Sequence, residues 1–332
     1  MGENLQSLFG RRGGLATAVF VAAAGACSHA DASDRTSARQ MARDSMGAVP
    51  TAIHTVALNA PPELVENSAA AMSRRQPGVL FTINDSGNEP LLFAIDTLGA
   101  SRGVWTVSGA TNVDWESAAV APCGRSAARG VAQSCVYIGD TGDNAGKHQT
   151  RTIYRVVEPT ASATRGAVRA EALVYRYVDE PHDVEAMYVA PNGDIVLITK
   201  RPLRNAAGHG RPALIFRLAP AAWSNHAVAV ATLVDSLPIV PGSLPLRLIT
   251  DAALSPDARH LAVRTYTQVY IFATDAATGQ VVHSAAPAVC NVTSLAEPQG
   301  EGLTWADARG RLIFTSEGVH VPLQLANCPL PK

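Results

Sequence analysis

Short strand-like runs recur along most of the chain in sets of four. Each run is rich in Val, Ile, Leu and Tyr, and Gly, Pro, Asn or Asp residues separate it from the next run. No segment has the long apolar period of a helix. The first runs of the five sets begin at Val65, Trp115, Val184, Asp251 and Gly302. Repetition of four-stranded units is typical of a β-propeller, so the sequence predicts an all-β propeller with four-stranded blades.

The last set is one run short of a complete blade. Its three runs are Gly302–Trp305, Arg311–Thr315 and Val321–Leu325. The run Ala52–Leu58 precedes the first set and has no unit of its own. Because an N-terminal strand in the last blade removes open sheet edges, we predict that Ala52–Leu58 closes the ring. This count gives five blades. Six blades are the alternative, with further strands in the loops Asn144–Arg151 and Pro238–Leu248.

The N-terminus has the pattern of an export signal. Arg11 and Arg12 precede a 12-residue apolar run, Leu15–Ala26. This run is shorter than the roughly 20 residues that span a bilayer, but it suits the core of a signal peptide. It ends in the sequence Ala-Gly-Ala-Cys, which resembles a bacterial lipobox, so we predict that residues 1–27 are a signal segment and that Cys27 is lipidated. Plain secretion after cleavage near Ala26 is the alternative.

Composition changes after the signal segment. Residues 28–48 are rich in Ser, Asp, Arg and Ala without an apolar period, which predicts a flexible tether before a propeller domain at 49–332.

The formal net charge of −1 provides no basic surface for nucleic acid. We predict a monomer of the bacterial cell envelope, anchored or secreted, that meets the membrane only through its lipid.

Four cysteines remain if Cys27 carries lipid. An even number in an oxidising compartment favours two disulfides, and no CxxC or His pairing at zinc spacing occurs. Cys123 and Cys135 bound a hairpin loop, and Cys290 could reach Cys328 in the closing blade. We therefore predict the pairs Cys123–Cys135 and Cys290–Cys328.

A carboxylate recurs near the start of the first run of each set. The positions are Glu66, Glu116, Glu185, Asp251 and Glu301. The first strand of a propeller blade lines the central channel, so these residues are expected to form a ring at the channel mouth.

The second strands return to the same mouth, because consecutive strands in a blade are antiparallel. They end in Asn84-Asp85-Ser86-Gly87, Asp140-Thr141-Gly142-Asp143-Asn144, Lys200-Arg201, Arg264 and Glu317. Clustered carboxylates repel one another unless bases, a cation or bound protons relieve them. Two interpretations follow. In one, Lys200, Arg201 and Arg264 pair with the acids. In the other, calcium binds the acids, because it favours oxygen ligands in flexible cages. The candidate calcium ligands are Asp114, Glu116, Asp140, Asp143, Glu185, Asp251 and Glu301.

Five short motifs add a resemblance to a known group. They are N-V-D-W-E (112–116), Y-I-G-D-T-G-D-N (137–144), H-D-V-E-A (182–186), V-R-T-Y (263–266) and Q-G-E-G-L (299–303). They resemble motifs of exported bacterial propellers of the phytase-like, esterase-like group. The resemblance implies a propeller with an acidic, calcium-loaded mouth. Phytase propellers hold phosphates with calcium, Lys and Arg, so Lys200, Arg201 and Arg264 are candidates for binding a small anion.

Two classes of function stay open at this stage. The chain lacks a G-x-S-x-G elbow, an H-E-x-x-H motif, a Walker loop and a Rossmann fingerprint. The first hypothesis is a non-catalytic envelope protein that binds a partner through the propeller face. The alternative is a calcium-dependent hydrolase of phosphoesters or carboxylic esters, with Glu185 or Glu301 as general base. His182 adjoins a mouth motif, where loop capping is favoured over a catalytic role.

Overall fold

In the computed structural model, the described residues are 47–125, 132–162, 164–200, 212–225, 227–239 and 248–332. The predicted signal segment, the lipidation site Cys27, nearly all of the tether and Arg201 lie outside these ranges. The division into signal, tether and propeller domain therefore stays a prediction.

The described strands form five four-stranded antiparallel units. The first unit contains β2 (Ala71–Met72), β3 (Val79–Ile83), β4 (Leu91–Asp96) and β5 (Ser101–Ser108), and the second contains β6 (Trp115–Arg125), β7 (Ala132–Asp140), β8 (Arg151–Val157) and β9 (Thr164–Tyr177). The third unit contains β10 (Val184–Val189), β11 (Ile195–Thr199), β12 (Ala213–Leu218) and β13 (Ala229–Leu237). The fourth unit contains β14 (Ile249–Leu254), β15 (His260–Thr265), β16 (Gln268–Ala273) and β17 (Ala288–Asn291). The last unit combines β18 (Gly300–Trp305), β19 (Arg311–Ser316) and β20 (Leu323–Asn327) with β1 (Thr51–Val56).

The first strands of the five units stand side by side in a closed ring. β6 packs on β2 and β10, β14 packs on β10 and β18, and β18 returns to β2. Every residue of β10 and of β18 is buried, since each of these strands has neighbours on both faces. A ring of first strands around a central channel is the architecture of a β-propeller, so the predicted fold class is confirmed.

The N-terminal strand closes the ring. β1 pairs antiparallel with β20, from Thr51 opposite Asn327 to Val56 opposite Leu323. The prediction for Ala52–Leu58 therefore holds, apart from the strand bounds. Both predicted disulfides, Cys123–Cys135 and Cys290–Cys328, are also present. The second disulfide joins the outer strand of the fourth unit to the residue that follows β20.

Two strand predictions were wrong. The outer strand of the fourth unit is Ala288–Asn291, whereas the predicted Gln280–His283 makes only a bridge between Thr274 and Val281. Asp275 explains this difference, because its Oδ1 accepts three hydrogen bonds from residues 277 and 278 and so makes a turn before Val281. The first run also shrinks to Ala71–Met72. Of the two loops with room for a sixth blade, 144–150 contains no strand, and 240–247 lies outside the described residues.

The outer strands join three units into one sheet of twelve strands. The first half of β9 pairs in parallel with β5, and its last three residues pair in parallel with β13. The units that begin with β14 and β18 form separate four-stranded sheets. Among the described residues, no helix has the length and apolar character that crossing a membrane demands.

Candidate functional site

A β-bulge at the start of the first strand sets the geometry of the mouth. In four units the pairing register skips one residue, and the skipped residues are Glu116, Glu185, Thr250 and Glu301. Bulges turn a side chain out of the regular alternation, and they recur beside functional sites. In the first unit, Asn67 forms a bridge with Asn84 and Ala71 pairs with Phe81. Four steps along the first segment therefore correspond to three steps along the second, which is the same one-residue shift. Counting from that bridge makes Ser68 the equivalent position.

This register corrects the predicted ring of five carboxylates. Glu66 and Asp251 do not occupy the bulge position, so the equivalent row contains three glutamates, one serine and one threonine. Asp251 is fully buried, and its carboxylate accepts hydrogen bonds from the N–H groups of Leu303 at 2.6 Å and Ala252 at 2.7 Å. Asp251 therefore links the first strands β14 and β18 and is not a ligand at the mouth.

A second row comes from the residues that follow the second strands. In each unit, the last second-strand residue to pair with the first strand before the bulge is followed by one residue of this row. The row is Asp85, Thr141, Lys200, Tyr266 and Glu317. Lys200 Nζ forms an ion pair with Glu185 Oε1. Tyr266 Oη and Gln299 Nε2 donate to Glu301 Oε1 at 3.1 and 3.0 Å. The Lys200 ammonium group therefore pairs with one oxygen of Glu185, whose buried Oε2 has no hydrogen-bond partner among the described residues, and neutral donors hold Glu301.

Three other carboxylates converge, and one of them, Asp85, accepts a hydrogen bond from the Ser86 N–H through its Oδ1. Asp85, Asp114 and Glu116 each offer an oxygen within 4.8 Å of the other two. No donor in the described ranges hydrogen-bonds to the carboxylate of Asp114 or Glu116. Burial and the charge of Asp85 raise the pKa of Asp114 to about 6, and the same two causes raise the pKa of Glu116 well above its ordinary value. We call Asp85, Asp114 and Glu116 the carboxylate triad.

A glycine closes one side of this triad. A Cβ on Gly142 would lie 2.6 Å from Asp114 Cγ and 2.7 Å from Glu116 Cγ, so only glycine fits. The N–H groups of Thr141 and Gly142 donate to the Asp114 carbonyl at 3.1 and 3.2 Å. The turn after β7 is thus held directly against the triad.

Asp140 and Asp143 accept hydrogen bonds from protein donors. Asp140 Oδ1 accepts hydrogen bonds from Arg151 Nη2 at 3.0 Å and from the Asp114 N–H at 2.8 Å. The Asp143 carboxylate accepts from the N–H groups of Lys147 and His148, each at 2.9 Å. These two predicted calcium ligands are therefore occupied by protein donors, and the structure does not bring them into the triad.

The predicted anion-binding and catalytic side chains are also engaged elsewhere. Arg264 is fully buried, donates to the carbonyls of Gly302 and Thr315 at 2.6 and 3.1 Å, and forms an ion pair with Glu297. Its guanidinium group is therefore bound by protein acceptors, and the anion-binding role stays a prediction. The buried His182 contacts Asp179 Oδ1 at 3.0 Å through Nε2. Its ring packs 4.8 Å from Tyr177 and 4.7 Å from Phe216, which agrees with loop capping and packing.

From the sequence, two residues of the site, Asp85 and Glu317, were placed at the mouth without a role for either of them. Asp85 lies in a D-S-G-N stretch that indicates an ordinary turn. Glu317 was placed at the mouth without a role, yet burial and the charge of Glu301 raise its pKa to about 7. Both residues stand one position after the second-strand residue paired at the bulge. Aligning that position with Lys200 would have identified them.

Comparison with known proteins gives similarity only to solved structures. No family model and no curated protein matches the chain. A glutaminyl cyclase from Myxococcus xanthus matches with 13% identity and a TM-score of 0.46, covering 84% of this chain and 97% of that chain. A luciferin-regenerating enzyme matches with 14% identity, a TM-score of 0.40 and coverage of 84% and 82%. The PQQ domain of a pyranose dehydrogenase from Coprinopsis cinerea matches with 11% identity, a TM-score of 0.39 and coverage of 84% and 96%. At these identities, none of the likenesses carries an activity over to this chain.

Proposed function

We propose that the channel mouth binds calcium through Asp85, Asp114 and Glu116, and that the protein is a binding module of the cell envelope. The observation that supports this is the convergence of three carboxylate oxygens within 4.8 Å. Two of these carboxylates receive no hydrogen bond from the described residues. Lys200, the base nearest to Glu116, is already paired with Glu185. A bound cation relieves the remaining repulsion.

The donor set suits calcium. Calcium takes about six to eight oxygen ligands in irregular geometry, and carboxylates bind it through one or both oxygens. The triad supplies three to six of these ligands, and water or an oxygen of a bound partner supplies the others. The glycine at position 142 allows the backbone to approach Asp114 and Glu116 closely, which keeps the carboxylates together. A partner with an anionic group then binds at the mouth through the cation.

The test is metal analysis of the purified protein, followed by calorimetric titration of the chelated protein with calcium. We expect one tight site. Glu116→Gln and Asp85→Asn should each weaken calcium binding at least tenfold. Glu89→Gln makes the same chemical change at an exposed residue outside the carboxylate triad and should change nothing. The absence of stoichiometric calcium binding in wild-type protein would contradict the proposal.

Export and anchoring belong to the same proposal. Two disulfides are compatible with an oxidising compartment, and the Ala-Gly-Ala-Cys sequence at 24–27 suits lipidation of Cys27. We expect cells fed labelled palmitate to incorporate the label into wild-type protein and not into Cys27→Ala. Equal labelling of both proteins would exclude the anchor.

A calcium-dependent hydrolase of phosphoesters or carboxylic esters is the second candidate. The observation that favours it is Glu317, whose position beside Glu301 and Lys200 and raised pKa of about 7 suit a general base. Calcium at the triad would supply electrostatic polarisation of a phosphoryl or carbonyl oxygen. Glu185 and Glu301 suit the role less well, because Lys200, Tyr266 and Gln299 already hold them.

A panel of phosphomonoesters, phosphodiesters, lactones and short acyl esters separates the two candidates. A hydrolase would turn over one class with calcium and lose at least tenfold of its rate in Glu317→Gln, whereas Glu89→Gln would keep the rate. A protein that binds calcium and turns over none of the panel is the binding module.

A further inference from the structure

The central channel opens into a second space at the end opposite the carboxylate triad. This cavity has a volume of about 840 Å³ and is walled by the later parts of the five first strands. One wall residue from each unit is Ala70, Ala119, Tyr188, Ala253 and Thr304. Small-molecule sites measure about 300–1,000 Å³ and are mostly apolar, so both the size and the walls suit a small ligand.

The cavity is separate from the mouth. Glu116 and Ala118 lie on the same strand, β6, and a strand rises about 3.3 Å per residue, so the cavity wall on β6 begins at Ala118, about 7 Å further along the channel. None of the mouth carboxylates lines the cavity.

The charge of the cavity is opposite to that of the mouth. His54, Arg74 and Arg311 line it, and none of the described lining residues is acidic. Within the described ranges, neither Arg74 nor Arg311 forms an ion pair, although the adjacent Arg75 pairs with Glu158 at 3.8 Å. Crowding by protein atoms lowers the pKa of Arg74, and no carboxylate offsets that effect. Both arginines are also exposed to solvent, so two protonated guanidinium groups without an ion pair line a largely apolar space that opens to water.

We propose that this cavity binds a small organic anion with an apolar body, such as a medium-chain carboxylate. The head group is held by Arg74 and Arg311, because a guanidinium matches a carboxylate with two parallel hydrogen bonds. The apolar chain lies along Ala70, Ala119 and Ala253, where small side chains leave room. The site functions independently of calcium at the mouth.

The test uses decanoate as the probe and decyltrimethylammonium as a cationic probe of the same chain length. Calorimetry in chelating buffer at pH 7.5 should show one decanoate per protein and at least tenfold weaker binding of the ammonium probe. The double substitution Arg74→Gln and Arg311→Gln should weaken decanoate binding at least tenfold. Arg309→Gln removes an exposed arginine that does not line the cavity and should leave the affinity unchanged.

Two further variants make the result specific to the cavity. Ala253→Leu fills part of the space and should weaken decanoate binding, whereas Glu116→Gln should leave it unchanged because the triad is not involved. If Ala253→Leu does not fold, the arginine variants decide the question. Equal binding of both probes, or an unchanged affinity in the double arginine variant, would overturn the proposal and leave a water-filled channel.

Discussion

Single atoms decide the geometry of the carboxylate triad. Gly142 has no side chain where a Cβ would collide with Asp114 and Glu116. We expect Gly142→Ala to displace one or both carboxylates, weaken calcium binding about tenfold or more, and destabilise the fold by about 1–3 kcal/mol through overpacking. Calorimetry and urea denaturation measure the two effects. Ala145→Ser adds one atom to an exposed residue of the same loop and is the matched control. Normal calcium affinity in Gly142→Ala would place the cation elsewhere.

The protonation of Asp114 and Glu317 couples stability to pH. Their folded-state pKa values of about 6 and about 7 lie above the ordinary values of 3.8 and 4.5. The folded protein therefore holds protons that the unfolded chain has already released. Their contribution to stability is greatest below about pH 4 and declines as pH rises towards 7.

In chelating buffer, these two groups should make the melting temperature higher at pH 5.5 than at pH 7.5. Calcium should remove the difference, because a bound cation stabilises the charged carboxylates and protons compete with it at low pH. The double substitution Asp114→Asn and Glu317→Gln should flatten the dependence. A melting temperature that rises with pH in chelator and is unaffected by the double substitution would contradict this.

Arg264 was predicted to bind an anion, and its contacts give it a structural role instead. Removing one partner of a buried ion pair costs about 3–5 kcal/mol, because the other charge is left without compensation. We expect Arg264→Met to lower the free energy of unfolding by that amount, because it leaves the buried Glu297 carboxylate without its partner. The double substitution Arg264→Met and Glu297→Met removes both charges and should recover part of the loss. Urea denaturation of the three proteins measures this. No loss in the single variant would show that the pair is dispensable.

Sequence periodicity predicted most strands because each first strand is buried on both faces and reads as one apolar run. The same reasoning aligned Glu116, Glu185 and Glu301 with one another, and these three residues occupy the same bulge position in their strands. It could not detect a bulge, which shifts the register by one residue without changing composition. For this reason Asp251 was aligned with the glutamates, although Thr250 is the equivalent residue. The triad was only partly predictable, because Asp85 comes from a turn whose sequence also suits an ordinary loop.

The two disulfides constrain elements of different size. Cys290–Cys328 closes a loop with a sequence separation of 38, whereas Cys123–Cys135 closes a hairpin with a separation of 12. In the chain-entropy description, these correspond to about 4 and about 3 kcal/mol. We expect replacing the Cys290–Cys328 pair by serines to destabilise more than replacing the Cys123–Cys135 pair. Urea denaturation compares the two proteins, and the opposite order would show that local strain or residual structure dominates.

The whole molecule is less symmetric than five similar units suggest. Parallel pairing of β9 with β5 and β13 joins three units into one sheet, whereas β17 makes a single parallel bridge, between Cys290 and Ala48, and is tied to the last unit by the Cys290–Cys328 disulfide. We expect hydrogen exchange to show the outer strands β5, β9 and β13 opening together, with β17 opening at a lower free energy. Mass spectrometry of deuterated peptides tests this. Uniform protection of all outer strands would contradict it.

The pairing of β1 with β20 also determines when the molecule can become complete. Thr51 and Asn327 are neighbours in space although 275 residues lie between them in the sequence, so the ribosome makes Thr51 long before Asn327. Until the last strand emerges, the first one has an unpaired edge, and such edges favour association with other chains. A polypeptide that ties its ends together in this way matures in one late event.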